Sequence, residues 1–249
     1  MNHADKGSVS GLPPVPVRRW KILDGSMLKL IAVITMLMDH TASALLENNY
    51  FVIFRFGERT IDLYEAMRII GRISFPLYAF LLVEGFLHTR SVKRYTGSIL
   101  AFALLSEIPW NLMHSGKLTF SGQNVMFTLL FGLLAIWTIR DYHGDRRIKA
   151  LLLFGLLALS FVFRADYGAQ GFGFIIMMYL LRDRELYRAL TGCCILPALW
   201  KAGIAFIPVS MYNGQRGFIR NKPLKYAFYL VYPLHLLILY WIRTRTVGF

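Results

Sequence analysis

The stretch LKLIAVITMLMDHTASALL, residues 28–46, is nineteen residues long and nearly all apolar. At about 1.5 Å per residue, a helix of this length crosses a hydrocarbon core of roughly 30 Å. Two consecutive ionisable residues, Asp39 and His40, interrupt its interior. A charged carboxylate at the centre of a bilayer costs about 3 kcal/mol. We therefore expect the rest of the protein to surround this pair with groups that satisfy it or use it.

The composition indicates a membrane protein. The chain has 249 residues, of which 56% are hydrophobic, and its mean hydropathy is +0.47, whereas soluble domains are about 45–50% apolar. The net charge of +14 does not indicate nucleic acid here, because Lys and Arg cluster in short connectors, as membrane orientation requires. Cys193 and Cys194 are adjacent, which is no metal-site spacing, so no metal is expected. The expected partner on this evidence is membrane lipid.

The apolar runs predict an all-α, polytopic integral membrane protein with about eight transmembrane helices in one bundle. Residues 1–26 are expected to be a mostly disordered cytoplasmic tail, 27–243 the transmembrane domain, and 244–249 a cytoplasmic C-terminal end. A signal peptide cleaved near 42–44 is the competing interpretation, although the apolar run exceeds a typical h-region. The predicted spans are approximately 28–46, 73–88, 95–113, 125–139, 150–163, 172–181, 190–208 and 226–242.

The basic residues predict the orientation. With eight spans, one side of the membrane collects 17 Lys and Arg and the other collects 11. The excess predicts that both termini lie in the cytoplasm, with the protein in a bacterial cytoplasmic membrane. The connector 47–72 is polar and carries both charges, and we expect part of it to be an interfacial helix.

Few ionisable groups lie inside the predicted spans, and they extend from the cytoplasmic side toward the outer leaflet: Glu84, His88, Lys201, His235, Asp39, His40 and Glu107. Asp39 and His40 project about 100° apart on a helix and do not pair directly. Asp39 is therefore expected to contact an arginine or a backbone donor on another helix. Lys201 is expected to snorkel or to pair with Glu107, and no role is assigned to it. The series suits a reaction that joins reactants from opposite sides, and equally a proton relay.

Four motifs, in order along the chain, resemble the TraX family: LKLIAVITMLMDH, GRISFPLYAFLLVEGFLHT, DYGAQG and FYLVYPLHLLIL. The resemblance covers nearly all of the chain from about residue 29 to residue 239. The namesake of the family acetylates the amino terminus of conjugative pilin. The family is distantly similar to a wider group of membrane acyltransferases, which use cytoplasmic acyl-CoA, an outer acceptor and an intramembrane histidine. The resemblance does not carry the pilin substrate over to this chain.

The resemblance implies an acetyltransferase that moves an acetyl group from acetyl-CoA to an amine or hydroxyl of an extracytoplasmic peptide or polymer. His40 is the expected base, since imidazole titrates near pH 7, with Asp39 and His235 as catalytic partners. Further residues are expected near the substrates: Arg72, Glu84, His88, Glu107, Asn111, Asp166 and Tyr167. Of these, Arg72 and Asn111 are, like His235, candidate donors to an oxyanion. The phosphates of coenzyme A are expected at Arg90, Lys93 and Arg94.

Two other classes of protein fit the same residues. A small proton-coupled transporter or flippase would use the buried histidines and carboxylates without any acyl donor. An accessory membrane protein would need them only for packing between helices. The residues leave open the acceptor, the length of the acyl chain and the oligomeric state.

Overall fold

The computed structural model of the chain describes residues 20–47, 52–56, 59–119, 122–195 and 203–246, with the backbone alone at 54–56, 59, 60 and 222. Most of the predicted N-terminal tail, the last three residues of the predicted C-terminal end, and Lys201 lie outside the described residues.

The described chain is mostly helical, as predicted, with one small antiparallel hairpin. The helices are α1 (Gly25–Thr41), α2 (Leu63–Gly71), α3 (Ser74–His88), α4 (Val92–Ser115), α5 (Val125–Asp141), α6 (Arg146–Val162), α7 (Gly168–Leu180), α8 (Glu185–Ile195), α9 (Phe206–Ser210) and α10 (Lys222–Thr246). A π-helical turn, Ala42–Leu46, continues α1. The hairpin pairs β1 (Val52–Phe56) with β2 (Arg59–Asp62).

Three helical segments in the described ranges are long and apolar enough to cross a membrane: Gly25–Leu46, Leu63–His88 and Pro223–Thr246. Gly168–Leu180 is a shorter apolar helix. The predicted number of about eight spans is not confirmed. The second predicted span begins ten residues earlier than expected, because α2 takes in part of the connector 47–72. This places Arg68 and Arg72 beside α1 rather than in a polar loop.

The described helices have their ends on two opposite faces of the protein. We call these the N-face, where α1 begins, and the hairpin face, where the β1–β2 hairpin lies. At the N-face, where α1 begins, Asp24 caps α1 by accepting from the backbone N–H groups of Ser26 and Met27 at 2.8 and 2.9 Å. The N–H of Leu23 donates to Met211 at 2.9 Å on the same face. At the hairpin face lie the β1–β2 hairpin, the end of α4, and the pairing of Gln123 with the 164–165 turn.

The segment from α8 to α9 begins and ends at the N-face. Glu185, the first residue of α8, forms an ion pair with Lys21, and Met211, just after α9, pairs with Leu23. Glu185 and Met211, which flank the predicted seventh span, 190–208, therefore lie on one face, and residues 196–202 of that span lie outside the described residues.

Helix α10 consequently runs parallel to α1. Just before α10, the N–H of Ile219 donates to Ser26 Oγ at 2.8 Å. Near its end, Arg243 donates to the carbonyl of Met113 at 3.3 Å, beside the C-terminus of α4. The first and last described residues thus lie at opposite faces. The prediction that both termini lie in the cytoplasm stays a prediction, and this arrangement of the described ends favours termini on opposite sides of the membrane.

We expect reporter tags placed ahead of residue 20 and after residue 246 to be labelled from opposite sides of the membrane. A third tag at Gly144, in the α5–α6 connector on the N-face, is the control and should behave like the N-terminal tag. Labelling of cysteine tags in intact cells with an impermeant reagent measures this. Labelling of both terminal tags from one side would contradict the arrangement.

Candidate active site

A cavity of about 110 Å³ lies toward the hairpin face, between α1, α2, α3, α4 and the connector that precedes α7. Its walls combine charged, aromatic and small side chains: Met36, Asp39, His40, Ser43, Arg68, Gly71, Arg72, Ser74, Phe75, Tyr78, Trp110, His114, Val125, Asp166 and Tyr167. Of the ten sequence-predicted catalytic and substrate-side residues, five line it: Asp39, His40, Arg72, Asp166 and Tyr167.

His40 on α1 and His235 on α10 are joined directly. Nδ1 of His40 lies 2.6 Å from Nε2 of His235. The ring planes are 7° apart and the centroids 4.9 Å apart, so the rings lie nearly in one plane with these nitrogens facing each other. Since α1 and α10 run parallel, residues at comparable depths in the two helices meet. The structure brings together two of the three predicted catalytic residues through this contact.

The neighbours of His235 determine which nitrogen carries each proton. Nδ1 of His235 lies 2.8 Å from the carbonyl oxygen of Val231, an atom that only accepts, so this Nδ1 is the donor. In neutral His235, Nε2 then accepts from Nδ1–H of His40. Nε2 of His40 keeps its lone pair, and it makes no hydrogen bond to any described residue. The pair therefore presents an imidazole in the basic tautomer at a cavity wall.

Asp39 is satisfied by an arginine, as the sequence predicted. Arg68 Nη1 on α2 lies 2.7 Å from Asp39 Oδ2. The other carboxylate oxygen of Asp39 is buried and lacks a hydrogen-bond partner among the described residues. Gly71 permits this close approach of α2 to α1, because a Cβ at position 71 would lie 2.4 Å from Asp39 Oδ1.

The connector between α6 and α7 closes the cavity with the predicted Asp166 and Tyr167. The Tyr167 ring stacks on Phe75 with centroids 3.8 Å apart, and its backbone N–H donates to Thr128 Oγ1 at 3.3 Å. Gly168 has a φ of +47°, which a glycine adopts without the strain of a side chain. These constraints hold the Tyr167 hydroxyl beside the Arg72 guanidinium.

Asp166 is the second carboxyl of the cavity. Asp166 is an exposed residue, and partial desolvation of its carboxyl at the cavity raises the pKa of this group to about 6. The charge of Arg72 opposes the rise and that of Asp39 adds to it. A carboxyl that titrates in this range changes the charge of the cavity between mildly acidic and neutral pH.

Three further residues of the cavity were missed by the sequence analysis: Arg68, Trp110 and His114. Arg68 precedes Arg72 by one helical turn, a spacing that would have placed both on one face had the connector been recognised as helix. His114 packs its ring 3.6 Å from Trp110, and Trp110 lies edge-on to His40 at 6.3 Å. His114 follows the predicted span, and its position beside the site had no sequence signal.

The remaining predicted residues lie elsewhere. Glu107 accepts from the side-chain amides of Asn111 and Asn124 at 2.8 and 2.7 Å, beside a separate apolar groove. His88 Nδ1 lies 3.8 Å from Glu84 near the N-face. The predicted coenzyme contacts are exposed on the N-face, around the start of α4: Arg90, Lys93 and Arg94. Among the described residues, no group of three His, Cys, Asp or Glu side chains is placed to share a metal ion.

Comparison with known proteins fits this arrangement. The sequence model of the family described as TraX protein matches residues 24–243. The chain belongs to the TraX family. A curated relative from Dichelobacter nodosus, described as probable fimbrial assembly protein FimC, serogroup H1, is 31% identical over 244 residues, which cover 85% of this chain and 92% of the relative. No solved structure matches the chain of this TraX family member.

Replacing Gly71 with alanine should separate α2 from α1, because the new Cβ would lie 2.4 Å from Asp39. We expect a loss of about 1–3 kcal/mol in the free energy of unfolding. Gly97→Ala is the control, since a Cβ there meets no atom within 4 Å and alanine favours the helix. Thermal unfolding in detergent measures both. Equal stability of the two variants would show that α1 and α2 do not approach this closely.

The raised pKa of Asp166 has a consequence for stability. The folded protein holds this proton more tightly than the unfolded chain does, so the contribution is greatest below about pH 4 and declines as the pH rises through about 6. In the wild type, the free energy of unfolding should fall by on the order of 1 kcal/mol over this pH range, after allowance for solvent screening, and Asp166→Asn should remove this fall. Asp183→Asn, at an exposed carboxylate, is the control. Melting curves from pH 4 to pH 7.5 would refute the shift if Asp166→Asn followed the wild type throughout.

Proposed function

We propose that this TraX family member is a membrane-bound acetyltransferase that moves an acetyl group from acetyl-CoA to an amine or hydroxyl of an extracytoplasmic peptide or polymer. The observation that carries the proposal is the His40–His235 pair, which presents an unprotonated Nε2 at a polar cavity. The family is associated with pilin acetylation, and the FimC relative is described as a probable fimbrial assembly protein. Both favour a peptide of a surface appendage as the acceptor.

In this proposal His40 is the general base. The attacking amine forms a bond to the carbonyl carbon of the thioester, and Nε2 of His40 takes the amine proton. When the tetrahedral intermediate collapses, the carbon–sulfur bond breaks and the same proton passes to the leaving thiolate. His235 accepts from Nδ1–H of His40 and holds the ring in the basic tautomer, so it acts as a positioning residue.

Arg72 is the strongest candidate for stabilising the oxyanion. Of the three donors expected from the sequence, Asn111 is engaged with Glu107, and His235 Nε2 accepts from His40. Arg72 remains, held beside Tyr167 at the cavity wall. A fixed guanidinium aimed at developing negative charge in a low-dielectric site supplies a large part of a typical rate enhancement.

We propose that the N-face is cytoplasmic, in a bacterial cytoplasmic membrane. The path of α10 puts the four basic residues of 216–225 on the N-face and the two of 243–245 on the hairpin face, so the excess of Lys and Arg on the N-face is larger than the predicted 17 against 11. The polar cavity then lies toward the outer surface, where an extracytoplasmic acceptor would arrive, and acetyl-CoA enters from the opposite face.

His40→Gln should lower acetyl transfer by at least about 100-fold, because a positioned base contributes roughly 10²–10⁴-fold. Release of free thiol from acetyl-CoA, with candidate acceptor peptides present, measures the rate on purified protein. His235→Gln should lower kcat less severely and shift its pH profile, since the tautomer of His40 is then unfixed. His143→Gln, at an exposed connector residue, is the control.

Retention of wild-type transfer in His40→Gln would refute the assignment of the base. Absence of any thiol release by the wild-type protein, combined with proton flux into liposomes that requires His40, would favour a proton-coupled transporter instead.

A further inference from the structure

A second cavity, also about 110 Å³, lies between α1, α3, α4, α5 and α10 on the N-face side of the active-site cavity. Three residues line both cavities: Met36, Tyr78 and Val125. The hydroxyl of Tyr78 lies 3.7 Å from Met36 Sδ, where the two cavities meet. The two cavities adjoin at this contact, and we call them together the passage, since their lining residues extend from Lys29, near the start of α1, to His40.

The walls of the second cavity differ in character from those of the active site. Apart from one lysine they are aliphatic and aromatic: Val33, Met36, Tyr78, Leu81, Leu82, Tyr95, Ile99, Val125, Met126, Leu129, Phe228, Tyr229 and Tyr232. Such a lining accommodates an uncharged chain and excludes ionised groups, because burial of an unpaired charge is costly.

Three cations gather at the N-face end of this passage. Lys29, one turn into α1, lines the cavity itself, and the charges of Arg216 and Lys225 act on it. Lys225 Nζ lies 5.7 and 5.5 Å from the ring centroids of Tyr95 and Tyr229, both of which line the same cavity. We call Lys29, Arg216 and Lys225 the basic mouth.

The basic mouth carries more positive than negative charge, since Asp24 is the carboxylate beside its three cations. None of the ion pairs among the described residues includes Lys29, Arg216 or Lys225. Asp24, in the turn before Lys29, is engaged in capping α1. Like charges held together repel, and the repulsion grows as water is excluded. The arrangement is favourable when a ligand supplies several negative charges at the mouth.

We infer that the basic mouth binds the phosphates of the acyl donor, and that the neutral arm of the donor threads the passage between Tyr78, Met36 and Val125 to bring its thioester to His40. This inference rests on the proposed function, and it assigns the donor-binding site to residues that the sequence analysis did not select. Phosphate groups match ammonium and guanidinium donors, and the apolar walls match an arm without charge.

The basic mouth differs from the cluster of three basic residues that the sequence predicted as the phosphate site. Arg90, Lys93 and Arg94 share the N-face, but all three are exposed, and none lines the passage. Arg216 is exposed as well, but its charge and that of Lys225 act on Lys29, which is half-buried and lines the cavity.

The first test measures binding of coenzyme A to the purified full-length protein in detergent by calorimetry. The double variant Arg216→Glu, Lys225→Glu should weaken Kd by at least about tenfold, because a lost hydrogen bond to a charged group costs roughly 1.5–3 kcal/mol. Lys29→Met should also weaken the binding of coenzyme A. The matched control is Arg146→Glu, Arg147→Glu, which makes the same change in charge at exposed N-face residues away from the passage.

The second test separates the mouth from the passage. Val125→Phe should narrow the junction of the two cavities, so it should weaken binding of coenzyme A and slow acetyl transfer. Binding of adenosine 3′,5′-bisphosphate, which carries phosphates without the arm, should stay within about twofold of the wild type if phosphates bind at the mouth alone. Thermal melting of each variant confirms that it is folded.

Unchanged Kd in the mouth variants, or a loss of binding on charge reversal at Arg90, Lys93 and Arg94 instead, would overturn the inference while leaving the proposed acetyltransferase intact. Binding of coenzyme A that depends on the mouth, without acetyl transfer by the wild-type protein, would support the donor site and refute the proposed function. Absence of binding to the wild-type protein would overturn the donor site.

Discussion

The ion pair between Asp39 and Arg68 is the interaction on which the rest of the structure depends. An acid in an apolar helix is tolerated only when a partner neutralises it, and here the partner comes from a short helix that would otherwise be a polar connector. Gly71 lets that helix approach α1 without a steric clash. The pair thereby fixes α2 against α1 and places the next residue, His40, where α10 can reach it.

The second constraint is the parallel course of α1 and α10. Because the α8–α9 segment returns to the face from which it starts, α10 begins beside the start of α1. Two histidines nearly 200 residues apart in sequence, at positions 40 and 235, then lie at matching depth. The carbonyl of Val231 orients one ring, and that ring orients the other. The start of α10 beside the start of α1 thus decides which nitrogen of His40 is engaged by His235.

The polar and apolar cavities divide the interior by depth. Charged groups concentrate at the hairpin face around His40, where the Asp166–Tyr167 connector is held by Thr128 and Phe75. Toward the N-face the walls become aliphatic and aromatic, and cations return only at the surface. This gradient matches a reaction in which a charged donor docks on one side and only its neutral end crosses the interior.

The sequence by itself determined the helical membrane class and the family, and it singled out Asp39, His40 and His235 as candidates, because buried ionisable residues stand out against an apolar background. It also required a partner for Asp39, either an arginine or a backbone donor on another helix. Tertiary structure alone decided that the partner is Arg68, that α10 begins beside the start of α1, and where Glu107 and His114 lie. Hydropathy measures how apolar a segment is, whereas a segment that returns to its starting face is as apolar as one that crosses. The choice between them is made by contacts between residues far apart in sequence, such as Leu23 with Met211, and no local pattern encodes them.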